Sequence, residues 1–325
     1  MRILERDNDL MLFGLDKSKS SQKGALAFIA IYVFATLFGV VLTPLLYWLT
    51  EYFSALYPEN ETFIYLLDKG VDKYFDRARY LGIVVGLPFI FKYCKLTSIK
   101  ALGLGINKKV LSIFAKYFLL GFCVMAFIYT LQFIFTDTLF RDLSIGSLPK
   151  IFLTSALAAI ILGFLEELIF RGLIFRCFCT AWGVLPAILF SSFFFAYKHF
   201  KVPDCAWEML DLHTAHWYTG FSVAYYDSIG MFMDFSPVAF FSLSLLAMFL
   251  CVIYLKTKNL YAPIAFHVAV VFALQVHRKL FIVNKDDLRI FFGNSGAINS
   301  FLCLIILSIL LIFSILSFKK RDELS

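Results

Sequence analysis

Long apolar runs separated by short polar ones dominate this chain, and their lengths predict membrane helices rather than a soluble core. A spanning helix takes about 20 apolar residues. Eight stretches fit that description, at about 24–50, 80–94, 110–136, 151–178, 185–200, 236–256, 259–276 and 298–318. The second and fifth are short, and the link between the sixth and seventh allows only a tight hairpin. Gly183 breaks the pattern between the fourth and fifth, which predicts an antiparallel hairpin turning near Thr180–Gly183. The expected fold class is all-α: a polytopic transmembrane helical bundle of about eight spans. The chain divides into a polar cytoplasmic tail (1–23), N-terminal membrane helices and loops (24–149), a membrane core (150–277), and a C-terminal loop, last span and basic tail (278–325).

Composition strengthens this reading. Of 325 residues, 61% are hydrophobic and only 16% charged, which excludes a soluble domain. The net charge of +7 collects at the ends and in the loops, as membrane topology requires, and implies the lipid bilayer rather than nucleic acid as partner. Arg2, Arg6, Lys17, Lys19 and Lys23 precede the first run; Lys92, Lys95, Lys100, Lys108 and Lys109 follow the second. Lys256 and Lys258 follow the sixth, and Lys319, Lys320 and Arg321 close the chain. With eight spans these cations share one side, so both termini are expected in the cytoplasm of a multi-pass integral membrane protein. Lys69, Lys73, Arg77, Arg79, Arg278, Lys279, Lys285 and Arg289 fall on the other. The first 23 residues are polar and the run after them is too long for a signal-peptide core, so no cleaved signal is expected. The seven cysteines lack metal-site spacing and read as small packing residues. Asn60-Glu61-Thr62 fits a glycosylation acceptor, a triplet common by chance.

One long connection, about 201–235, mixes Asp204, Glu208, Asp211, Asp227 and Asp234 with Trp207, Trp217, Tyr218, Tyr225 and Tyr226. Such aromatics favour a membrane interface, and the loop reads as an interfacial segment or as a lid over a site. His213-x-x-His216 lies within it.

Three apolar runs carry ionisable groups in their interiors, where a charge costs at least about 2.5 kcal/mol. The first is Gly163-Phe-Leu-Glu-Glu-Leu-Ile-Phe-Arg-Gly172. Glu167 and Arg171 form an i,i+4 pair in the favoured order, acid first, whereas Glu166 is turned by about 100°. The second places Phe195 and His199 one helical turn apart. The third holds His267. Glu166 lies 14–16 residues before the predicted turn and His199 16–18 after it, which puts them at similar depth in the hairpin. A carboxylate in an apolar setting suits general-base activation of water, His199 can hold that water or move its proton, and His267 can donate to a developing oxyanion. Neither Gly-x-Ser-x-Gly nor His-Glu-x-x-His occurs, which argues against a serine hydrolase or a zincin.

At these residues the chain resembles the CAAX prenyl protease and bacteriocin-processing family of intramembrane proteases. The family's motifs are Glu-Glu-x-x-x-Arg, Phe-x-x-x-His and His-x-x-x-Asn (or Asp). The first is complete in Glu166, Glu167 and Arg171, and the second in Phe195 and His199. The third begins at His267 but ends on Val271, with Gln275 a further turn on. The contexts "SSFFFAYKHF" and "NLYAPIAFH" are also similar, and the resemblance covers about residues 150–277. It implies a glutamate-dependent peptidase. Glu166 and His199 would activate water, His267 would help bind the oxyanion, and Glu167 and Arg171 would hold the site together. The partner implied is a membrane protein or lipidated peptide as substrate. No cofactor or tightly bound metal is expected; if zinc were used, Glu166, His199 and His267 would be its ligands. Two other readings stay open: a non-catalytic scaffold or immunity protein on the same fold, and a transporter with an intramembrane proton relay.

Overall fold

A computed structural model describes residues 17–93, 103–106, 108–207, 209–284, 288–294 and 296–322. Arg2, Arg6, Cys94, Lys95, Lys100, Glu208 and Lys285 lie outside the described residues. The described chain is helical almost throughout. In order, it forms α1 (Lys17–Leu56), α2 (Glu61–Leu67), α3 (Val71–Tyr93), α4 (Val110–Phe135) and α5 (Leu148–Ile169). A π-helical turn (Phe170–Phe175) leads into α6 (Arg176–Trp182), followed by α7 (Val184–Tyr197), α8 (Thr219–Met233) and α9 (Pro237–Thr257). The last helices are α10 (Tyr261–Leu280), α11 (Arg289–Phe292) and α12 (Phe301–Asp322). Two short strands, β1 (Thr138–Phe140) and β2 (Phe281–Val283), pair antiparallel, with Leu139 opposite Ile282.

The protein is an all-α membrane bundle. Among the described residues, four stretches are long and apolar enough to cross a bilayer: Leu26–Leu56, Val110–Phe135, Ile145–Cys179 and Pro237–Thr257. Val184–Tyr197 and Phe301–Ser317 are apolar but shorter. α3 and α10 have the length but carry charge: Asp72, Lys73, Asp76, Arg77 and Arg79 in one, Arg278 and Lys279 at the end of the other. The first three spans present rows of Leu, Ile and Phe outward, Leu119, Ile134 and Ile160 among them. Surfaces of that kind belong in lipid.

Local chemistry sets the boundaries. Ser236 caps α9, its hydroxyl accepting from the Ala239 amide, and Pro237 sits in the first turn, where its missing N–H is not needed. The predicted tight hairpin forms, because α9 ends at Thr257, Lys258 turns left-handed (φ 53°) and α10 begins at Tyr261. The predicted turn between α6 and α7 falls at Gly183. The Asn60-x-Thr62 triplet has a structural role: the Asn60 side chain accepts from the Thr62 amide at the head of α2. The structure differs from the sequence pattern in two places. The fifth apolar run predicts helix as far as residue 200, yet α7 stops at Tyr197. The connection over 201–235 contains a four-turn helix, α8.

The chain forms two compact units. The first comprises Met1–Ser21, Leu96–Ala196 and Ser236–Ser325. Within it α10 is central and packs against α4, α5 and α9, while α12 packs on α9. Its core includes Met125 and Ile128 of α4, Phe249, Leu250 and Ile253 of α9, and Phe266 and Val270 of α10. The second unit comprises Gln22–Lys95 and Tyr197–Phe235. There α3 packs on α8 around Val40, Tyr47, Tyr74, Phe75 and Val223. The Tyr47 hydroxyl donates to the His213 carbonyl at 2.6 Å, and Trp48 Nε1 to the Ala215 carbonyl at 2.7 Å.

Gly163 sets the distance between α5 and α10. A Cβ on it would lie 2.8 Å from Val268 Cγ2 and 3.2 Å from Val268 N. At this point only a hydrogen separates the α5 backbone from α10, the usual device for drawing membrane helices together. Glu167 is one turn beyond Gly163, and His267 precedes Val268. Gly163→Leu is expected to wedge the two helices apart and cost about 1–3 kcal/mol through overpacking. Thermal unfolding of the purified protein in detergent measures this, and an unchanged midpoint would show that the contact can relax.

Candidate active site

The ionisable residues of α5 meet their partners where the helix changes pitch. Backbone bonding widens into a π turn at Phe170, between Glu167 and Arg171. Such turns cluster at functional sites. Across this join the predicted pair forms: Arg171 NH1 donates to Glu167 Oε1 at 2.8 Å, with both side chains almost fully buried. Arg171 NH2 donates to the Ala247 carbonyl of α9 at 2.9 Å. The guanidinium also stacks toward the Phe195 ring of α7, 5.1 Å from its centroid. One arginine therefore ties α5, α7 and α9 together.

His267 completes the group from α10. Its Nδ1 lies 2.8 Å from Glu167 Oε1, the same oxygen that accepts from Arg171. Its Nε2 lies 3.9 Å from Glu166 Oε2. The imidazole thus faces both neighbouring carboxylates with its two ring nitrogens, spanning the turn of about 100° between adjacent helical residues. The Phe195 ring meets it edge-on at 5.9 Å. Glu167 and Arg171 are sealed off, while the Glu166 side chain keeps 13% exposure. The two carboxylates therefore differ: Glu167 is sealed between Arg171 and His267, whereas the Glu166 side chain keeps slight exposure although its Oε2 is buried.

The first unit brings together Glu166, Glu167, Arg171 and His267, with Phe195 packed against them. His199 belongs to the second unit, two residues past the end of α7, and is exposed. Val271 and Gln275 follow His267 along α10 and are half-buried. His213 and His216 lie in the loop before α8. The His216 amide donates to Thr219 Oγ1, and its ring stacks on Tyr218. Among the described residues no group of three or more His, Cys, Asp or Glu side chains is placed to hold a metal ion.

Two features are not evident from the sequence pattern. The Ala247 carbonyl has no sequence signature, because any residue supplies one. The second is partly visible. Arg79, a loop cation by its place in the pattern, is buried inside α3 and bonded to Asp76 and Asp227. The i,i+3 spacing of Asp76 and Arg79 is the available signal. These groups lie outside the candidate spans. Burial acts to raise the Asp227 carboxyl, but Arg79 and Lys198 hold it below the ordinary carboxylate range. A depressed folded pKa means that this pairing is intact at neutral pH and is lost only as pH falls through that lowered value.

Arg171→Ala is expected to cost on the order of 3–5 kcal/mol, because it strands the buried Glu167 charge. Glu167→Gln in the same background should restore part of that loss. Denaturation midpoints of the two single mutants and the double mutant test the pair, and strictly additive losses would mean the two side chains do not interact.

Neither the curated proteins nor the solved structures contain a match to the chain. A family model does match, from the start of α5 into α10. This segment, residues 148–273, carries Glu166, Glu167, Arg171, Phe195, His199 and His267, and over it the chain matches the Rce1-like family of type II CAAX prenyl endopeptidases.

Proposed function

We propose that the protein is an intramembrane endopeptidase that hydrolyses a peptide bond in a membrane-associated protein or lipidated peptide. The observation that carries this reading is the division of labour between the carboxylates. Glu167 is bonded to Arg171 and His267, whereas Glu166 faces His267 Nε2 at 3.9 Å. That gap is too long for a direct hydrogen bond and within reach of one water touching both groups.

In the proposed reaction Glu166 takes a proton from this water as the oxygen adds to the scissile carbonyl carbon. Negative charge moves onto the carbonyl oxygen. His267, with its Nδ1–H directed at Glu167, donates from Nε2–H to that oxyanion when the ring is protonated. The intermediate collapses as the carbon–nitrogen bond breaks and protonated Glu166 returns its proton to the leaving amine. His199 enters on its motif alone, Phe195-x-x-x-His199, as a second ligand for the attacking water. Val271 offers no donor, so oxyanion binding falls to His267.

No metal takes part in the proposal. Glu167 Oε1 and His267 Nδ1 are taken up by one another, and the same oxygen accepts from Arg171, whose charge opposes a dication nearby. The termini are proposed to be cytoplasmic, from the distribution of Lys and Arg.

Glu166→Gln is expected to lower turnover by about 100-fold or more, the scale of a lost general base, with an unchanged thermal midpoint. The assay is cleavage of an internally quenched, farnesylated peptide ending in a CAAX sequence by purified protein in nanodiscs. Wild-type turnover by Glu166→Gln would sink the assignment of the base. Turnover of the wild type is also expected to survive 1,10-phenanthroline. Stoichiometric zinc by elemental analysis, with inhibition reversed by added zinc, would make Glu166, His199 and His267 ligands instead.

A further inference from the structure

The second unit holds a buried ion network that the proposed reaction does not use. Arg79 NH1 donates to Asp227 Oδ2 at 2.6 Å, and Lys198 Nζ donates to the same oxygen at 2.8 Å. Arg79 NH2 donates to Asp76 Oδ1 at 3.0 Å, and Lys201 Nζ donates to the other oxygen of Asp76. Arg79 and Asp227 are 8% and 4% exposed. Burying such charges is costly, and a well-packed apolar set of equal volume often stabilises a fold as well or better. The network therefore calls for a purpose beyond stability.

Its geometry points to the segment 197–201. Three members of that segment are pinned to one helix, α8, at three successive places. The Tyr197 hydroxyl donates to the Ser228 carbonyl at 2.7 Å, and Lys198 is bonded to Asp227. The Lys201 carbonyl presses on Gly230 so closely that a Cβ there would collide with its oxygen. Lys201 is tied to Asp76 of α3, and the Phe200 ring stacks on Phe235 at 6.1 Å. Every one of these anchors lies within the second unit. At the centre of the pinned segment stands His199.

We propose that Asp227, oriented by Arg79, is a positioning residue for His199. Asp227 holds the neighbouring Lys198 and thereby fixes the backbone that presents the imidazole. This rests on the reading of His199 as a participant in hydrolysis. The same anchors explain why the helix stops at Tyr197 although the apolar pattern runs on: contacts to α8 replace the next helical turn.

The test uses full-length protein in nanodiscs with the farnesylated quenched peptide, alongside hydrogen–deuterium exchange of peptides covering 197–201. Asp227→Asn is expected to lower kcat by about 10-fold to 100-fold, the scale of a small misplacement of a reacting group, with KM nearly unchanged. Exchange over 197–201 should accelerate, and Asp227→Glu should recover much of both. A merely structural role would instead reduce the amount of folded enzyme and leave the kcat of the survivors intact. If Asp227→Asn does not fold, Lys198→Ala removes the tie to the histidine's neighbour while keeping the Arg79–Asp227 pair, and the same two changes are expected. Wild-type kcat together with wild-type exchange in the folded variant overturns the proposal. If instead His199→Ala cleaves as fast as wild type, or the wild type leaves the peptide intact, the reading of His199 in hydrolysis fails. The exchange data then decide the anchoring by themselves: acceleration in Asp227→Asn supports it and no change overturns it.

Discussion

Everything in the first unit's polar centre depends on one oxygen atom. Glu167 Oε1 accepts from Arg171 on its own helix and meets His267 Nδ1 from α10, both at 2.8 Å. Without the arginine, a buried carboxylate would be unsustainable; without the carboxylate, the histidine would have no fixed orientation. Arg171 in turn reaches the Ala247 carbonyl on α9 and the Phe195 ring on α7. Four helices thus converge on a single ion pair, in a bundle whose core contacts are mostly apolar and weakly directional. Van der Waals packing between membrane helices leaves rotation and depth poorly specified, and a few polar contacts specify them.

The packing and the polar contacts depend on each other. Gly163 lets α5 and α10 approach until Val268 occupies the space a Cβ would need. His267 is adjacent to that contact in sequence and Glu167 is one turn from it. A bulkier residue at 163 would move the imidazole away from both carboxylates at once. The π turn at Phe170–Phe175 belongs to the same construction, because it begins between the two partners of the ion pair and changes the pitch where Arg171 must reach α9.

Local spacing makes part of this legible in the sequence. Glu167 and Arg171 pair because i,i+4 neighbours share a helix face. The α6–α7 turn is readable from Gly183, and the α9–α10 hairpin from the shortness of its link. His267 joining Glu167 is not readable, since it spans 100 residues and rests on a helix crossing marked only by a glycine. α8 is hidden for a different reason. Its buried face is Thr219, Gly220, Val223, Asp227 and Gly230, while Phe221, Tyr225 and Phe232 point outward. That is the reverse of a soluble amphipathic helix, so the stretch reads as an aromatic loop. The end of α7 is hidden because hydrophobicity continues through Phe200, whereas side-chain contacts to α8 decide where the helix stops.

The valine at 271 sharpens what is asked of His267. A family motif that ends in Asn or Asp supplies a polar group one turn beyond the histidine; here that position is apolar. The proposed oxyanion contact then has one side-chain donor on α10, Nε2–H of a protonated ring. Because Nδ1 is committed to Glu167, a neutral imidazole carrying its proton there would present only a lone pair at Nε2, able to accept from water but not to donate to an oxyanion. Ring protonation and oxyanion binding are thereby coupled in this chain more tightly than where a separate amide shares the task. The carboxylate that fixes the orientation of this ring is Glu167, the same residue that holds Arg171. On the proposed reading, the contact that organises the helices therefore also orients the ring on which oxyanion binding depends.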